Sequence, residues 1–307
     1  MLYTKKNKAI ILIFIAPAIV TFLFAFLYPI SRTTYMSFFA LENVTNPIAT
    51  WSFVGLRNYK TLYTQAPLFM QSINNIKTIW LIGGAGIFVT ALLFSAFLTS
   101  GIRLKKFYRA VIYLPNVVSA VAMGTMWIQY VYNTRDFGML NRLFRFIGLE
   151  ALVGIQYTSP DNVLYSLMVA YCFGMVGYFL LIFVAAIDGI PGDIFEAATI
   201  DGAGFFVKFF TITLPLLTDN IRTCIVLWSI AIVNFFVWSM VFSPLQPETG
   251  TVSPVVYLHQ LVFGANIPGV IERNVGVGAT VGVTLSLFVI LVFAGSSLLF
   301  RKPKIEY

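Results

Sequence analysis

Charge is what this sequence has least of. Lys, Arg, Asp and Glu make up 10% of its 307 residues, against roughly 25% in an ordinary soluble domain. With 59% hydrophobic residues and a mean hydropathy of +0.85, a chain of this composition precipitates unless a bilayer solvates it, so it reads as an integral membrane protein. Cysteine is almost missing. Cys172 and Cys224 both lie in apolar runs, which excludes a disulfide framework and leaves two small core residues. There is one histidine, His259, in a polar connection, where it reads as a solvated or interface residue. No cluster of His, Cys and carboxylates has metal-ligand spacing. Nor is there a Gly-x4-Gly-Lys-Ser/Thr loop to hold phosphate. The cluster Gly83, Gly84, Ala85 and Gly86 lacks the lysine and lies in an apolar run, so it reads as small residues that let helices pack closely. No Asp, Glu, Lys or Arg falls in the central part of any apolar run. Such residues usually mark proton relays and ion paths. Nothing here forms an enzymatic site, and energy for uphill transport would have to come from a partner.

What is present is a series of uncharged stretches long enough to cross about 30 Å of hydrocarbon, roughly 20 residues each. They predict an all-α membrane protein with six transmembrane helices at about residues 9–30, 76–100, 109–132, 162–187, 221–243 and 275–300. The first follows Lys5, Lys6 and Lys8. It reads as a retained span and not a signal peptide, because it is long and lacks a small-x-small cleavage site. The net charge of +8 is a topology signal; basic residues flank the spans and form no patch for nucleic acid. Lys5, Lys6, Lys8, the turn Arg103–Arg109, Lys208 and the tail Arg301, Lys302, Lys304 all fall on one side of a six-span chain. Both termini and the 188–217 connection are therefore expected in the cytoplasm.

That connection has a structure of its own. Asp193 and Glu196 are spaced like a helix-start capping box, and Ala197 and Ala198 follow as strong helix formers. Gly202 stands where a short helix should stop. A second amphipathic piece then runs from Phe205 to Ile212, and Pro215 ends it. Two short helices meeting at a glycine corner make a compact knob.

Glu196-Ala-Ala-x3-Gly202-x9-Ile212-x-Leu214-Pro215 resembles, position for position, the EAA signature of permease subunits of binding-protein-dependent ABC importers. Background residue usage gives seven such matches by chance in fewer than about one chain in 10⁵. Phe53-Val-Gly-Leu-Arg-Asn-Tyr59, Leu114-Pro-Asn116, Trp127, Gly138-x-Leu-Asn141, Ile190-Pro191 and Asp201-Gly-Ala203 are similar to segments of the sugar-type members, so the likeness covers nearly the whole chain. It implies a type I ABC importer permease fold with cytoplasmic coupling helices, in a single transmembrane domain in the bacterial cell membrane. Glu196, Ala197, Ala198, Asp201, Gly202, Ala203, Ile212, Leu214 and Pro215 would then couple to an ATPase. The resemblance also implies a second homologous permease in a heterodimer, two cytoplasmic ATPase subunits that bind ATP and Mg, and an extracytoplasmic solute-binding protein. No cofactor is expected in this chain.

For the solute, a carbohydrate and specifically an oligosaccharide, the fourth and fifth spans offer stacking and amide groups: Tyr171, Tyr178, Trp228, Asn234 and Phe235. Tyr178 stands where maltose-type permeases have a tyrosine, whereas Trp228, Ile232 and Phe235 replace small or amide residues. Two alternatives stay open at this point: a permease of the same class for glycerol-3-phosphate or another solute, and an autonomous secondary carrier or channel.

Overall fold

A computed structural model of the chain describes residues 5–135, 138–243, 249–264 and 272–299. The tail residues Arg301, Lys302 and Lys304 lie outside the described residues. Four helical stretches are long and apolar enough to cross a bilayer: Ile13–Met36, Pro67–Thr99, Val163–Asp188 and Val275–Leu299. Two further pairs qualify only jointly. Lys105–Val117 with Ala120–Val131 is bent by 97°, and Phe205–Leu216 with Thr218–Val233 by 69°. Among the described residues the count is four spans, or up to six if each bent pair is one.

The chain divides into two compact units, Met1–Pro67 with Leu258–Ser286, and Leu68–Tyr257 with Leu287–Tyr307. In the first, α1 (Lys5–Phe22) passes through a π-helical turn, Leu23–Leu27, into α2 (Tyr28–Met36). The helix thus outruns the expected end near residue 30. Pro29 lacks a donor and its ring crowds the carbonyl four residues back; the widened turn just before it, closed by Tyr28 N–H on the Leu23 carbonyl, absorbs both defects. The following connection is ordered. Strands β1 (Phe39–Ala40) and β2 (Ser52–Phe53) pair antiparallel, and α3 (Arg57–Thr64) follows. Asn58 is buried and its amide donates to the Ser37 and Phe39 carbonyls at 2.9 and 2.8 Å, while Tyr59 and Ser37 share a hydroxyl bond. The family-like segment therefore folds its own loop.

The second unit holds the larger core. α4 (Pro67–Thr78) runs through a π turn, Ile79–Gly83, into α5 (Gly84–Thr99). Next come α6 (Lys105–Val117) and α7 (Ala120–Met126), which ends in the π turn Trp127–Val131, then α8 (Met139–Phe146). The long α9 (Val163–Asp188) lies at the centre, with Phe179, Leu180 and Phe183 fully buried against Ile87 and Ala91 of α5. Gly177 has no side chain, so the α6 backbone at Ile112 and Tyr113 can lie against it.

The expected third span is not one helix. Val118 is extended and Ser119 restarts the chain as an N-cap, its hydroxyl accepting from Ala122 N–H at 3.3 Å. Past the 188–217 connection, the expected fifth span is broken as well. α13 (Thr218–Val233) stops at Asn234 and α14 (Val237–Phe242) resumes after Phe236. The break frees the Phe235 carbonyl, and the hydroxyls of Ser239 and Ser253 donate to it at 3.1 and 2.7 Å, which settles its hydrogen bonding. A short α15 (Pro254–Phe263) follows in what the sequence suggested was loop, and α16 (Val275–Leu299) completes the order.

Candidate functional site

The 188–217 connection forms two helical pieces. α10 (Gly192–Ile200) is followed by α11 (Phe205–Lys208), a π turn Phe209–Thr213 and α12 (Leu214–Leu216). The expected capping box is not made. Pro191 is the N-cap and no side chain caps the helix, because it begins at Gly192, two residues too early for Asp193 to cap it or for Glu196 to reach back. Asp193 in the first turn still suits the helix dipole. Glu196 is left exposed.

The C-terminal end of α10 is tightly built. Gly202 has φ +80°, a left-handed conformation that costs an L side chain about 1–2 kcal/mol. Its N–H donates to the Thr199 carbonyl at 3.0 Å, and Ala203 N–H to that of Ala198 at 2.8 Å. This pair of bonds is the Schellman closure. Across the corner, Lys208 Nζ donates to Thr199 Oγ1 at 2.6 Å. Phe205 stacks on Phe97 of α5 with ring centroids 4.4 Å apart, which fixes the second piece to the unit.

Pro215 does not end that piece; the helix continues to Leu216. As at Pro29, a π turn precedes the proline, with Leu214 N–H on the Phe209 carbonyl, and the sharp bend follows it.

Ala197, Asp201, Gly202 and Pro215 are exposed; Ala198, Ala203, Ile212 and Leu214 are half-buried. Two residues that the sequence reading passed over share the exposed surface of α10: Ile194, and Ile200 at 87% exposure. Apolar side chains on a short exposed helix were the available signal. Beside the knob, Arg109 of α6 bonds Asp188 at the end of α9 at 3.1 Å.

The five aromatic and amide candidates separate into two groups. Tyr171, Trp228 and Phe235 meet one another: Tyr171 stacks on Trp228 at 5.6 Å and meets Phe235 edge-on at 4.7 Å. All three are buried. They pack into the core in this conformation, where their bulk fills the space between α9 and the α13–α14 stretch. Tyr178 is half-buried and Asn234 exposed, the latter's amide donating to the Ile230 carbonyl. Among the described residues no group of three or more His, Cys, Asp or Glu could hold a metal.

No model of a known protein family matches the chain. Individual proteins do. Diacetylchitobiose uptake system permease protein NgcF of Streptomyces coelicolor is 30% identical over 258 residues, 80% of this chain and 69% of its own. Probable ABC transporter permease protein YesP of Bacillus subtilis is 30% identical over 253 residues, 81% of this chain and 79% of its own. In three dimensions the chain matches, with a TM-score of 0.76, 19% identity and 97% coverage of both chains, a bacterial ABC transporter involved in the import of the acidic polysaccharide alginate. That likeness gives the all-α fold of a type I importer permease. On the identity and extent of its relatives, the chain belongs to the sugar-type permease subunits of ABC importers.

Proposed function

We propose that this chain forms one half of the membrane path for an oligosaccharide and that its 188–217 knob, on the cytoplasmic side, takes up the movements of an ATPase. The other half is a second, homologous permease. Two ATPase subunits bind ATP and Mg, an extracytoplasmic solute-binding protein delivers the sugar, and both termini are cytoplasmic. The relatives' diacetylchitobiose and alginate support a carbohydrate as cargo. Tyr178 and Asn234 serve the path directly, with Tyr171, Trp228 and Phe235 as the packed wall behind them.

The observation that carries this reading is the closed corner at Gly202. It presents α10 as a rigid peg whose exposed Ile194, Glu196 and Ile200 fit a docking groove of mixed character. Ala197, Ala198, Asp201 and Ala203 keep the peg slender, while Ile212, Leu214 and Pro215 set the bend through which a push on it reaches α13.

The test is Gly202→Val in the assembled importer. A β-carbon there meets no atom within 4 Å, so the cost is conformational and confined to the corner. Insertion and assembly should be retained, while sugar-stimulated ATP hydrolysis and uptake fall at least about tenfold, the effect of roughly 1.4 kcal/mol at the coupling step. Normal coupled uptake in that variant would overturn the assignment.

A further inference from the structure

Both broken spans open beside one cleft. α7 and α14 are the stubs that follow the breaks at Val118–Ser119 and Asn234–Phe236. They touch tightly at Gly124, where a β-carbon would lie 2.7 Å from Val241 Cγ1. Next to that contact are two adjoining cavities of about 500 and 560 Å³, each within the roughly 300–1,000 Å³ of small-molecule sites. They share Thr125, Ile128, Gln129 and Thr158. One is lined further by Phe236, Val237 and Met240, and the other by Asn133 and Arg135.

Irregular backbone at membrane depth is tolerated only where protein buries it or where it faces water. Discontinuous spans in transporters accordingly mark solute sites. Thr125, Gln129 and Thr158 are exposed here and offer two hydroxyls and an amide to the cleft. Gln129 sits in the π turn Trp127–Val131, a feature found often at functional sites. An apolar wall opposite amides and hydroxyls is the composition that a sugar ring needs, with C–H faces on one side and hydroxyl groups on the other. Among the described residues that line the two cavities, Arg135 is the one that carries a charge, and an uncharged sugar ring suits such a lining.

We infer that the α7–α14 cleft is a water-filled oligosaccharide site of this subunit, distinct from the buried Tyr171–Trp228–Phe235 cluster. The inference rests on the permease reading above and adds a site to it.

The test uses cells that produce the whole importer with Gln129→Cys or Met240→Cys. A membrane-impermeant methanethiosulfonate added outside should modify both at least about tenfold faster than the thiols of the unaltered chain, since reactivity follows exposure. Saturating maltotriose, diacetylchitobiose or an alginate trisaccharide should slow the modification several-fold in at least one case. No modification overturns the water-filled cleft. Modification that none of the three sugars slows overturns the sugar occupant. A cross-link from Met240→Cys to the second permease would make the cleft an interface, and also overturns the inference. Labelling is read without transport, so its failure is separable from failure of the permease reading, which uptake of the same sugars by the unaltered importer tests.

Discussion

Trp228 was legible in the sequence only as an aromatic on a membrane helix; its partners were not. Its indole N–H donates to the Trp80 carbonyl at 3.0 Å, and the Trp80 indole donates to Ser229 Oγ at 2.8 Å. Gly84 makes room for this exchange, since a β-carbon there would lie 2.6 Å from Trp228 Nε1, whereas one at Gly86 would meet nothing within 4 Å. Gly84→Val should therefore cost about 1–3 kcal/mol through overpacking, and Gly86→Val should cost less. The measurement is the melting midpoint of each purified importer complex, and equal midpoints for the two variants would refute the lock. Similar logic governs Asn58 and Asn141. Each looked like part of a family segment, and each turns out to satisfy loop carbonyls. Asn141, also buried, donates to those of Asn133 and Thr134. Which carbonyls each amide serves depends on how its loop folds back, over 7 and 8 residues for Asn141 and over 19 and 21 for Asn58.

At the scale of elements, apolar run length located the helices but not their interruptions. Hydropathy sums over about 20 residues and barely registers a gap of two, so the breaks at Val118–Ser119 and Asn234–Phe236 were read through as continuous spans. Ser119 ahead of Ala120 was an N-cap signal that composition outweighed. The placement of the knob depends on element ends too. Arg109, near the start of α6, and Asp188, at the end of α9, pair at 3.1 Å with side chains 22% and 44% exposed. A pair this open contributes about 0.2–1 kcal/mol. A double-mutant cycle with Arg109→Ala and Asp188→Ala should give a coupling energy in that range at low salt, shrinking as ionic strength rises. A coupling energy that ignores salt would argue against an ionic tether.

At the scale of the whole molecule, the membrane class and the absence of a fuel source both follow from how few charges there are and where they fall. So does the predicted orientation. Ile200→Cys should resist an impermeant thiol reagent in intact cells, react in inside-out vesicles stripped of the ATPase, and be shielded when the ATPase is added back. Reaction from outside would invert the topology. By itself the sequence determined the all-helical membrane class and the signature of the family, because these are set by local composition and residue order. Only the tertiary structure decided that α10 starts without a side-chain cap, that two expected spans are broken, and that Tyr171, Trp228 and Phe235 pack against one another, because burial and hydrogen-bond partnership depend on residues brought together from distant parts of the chain.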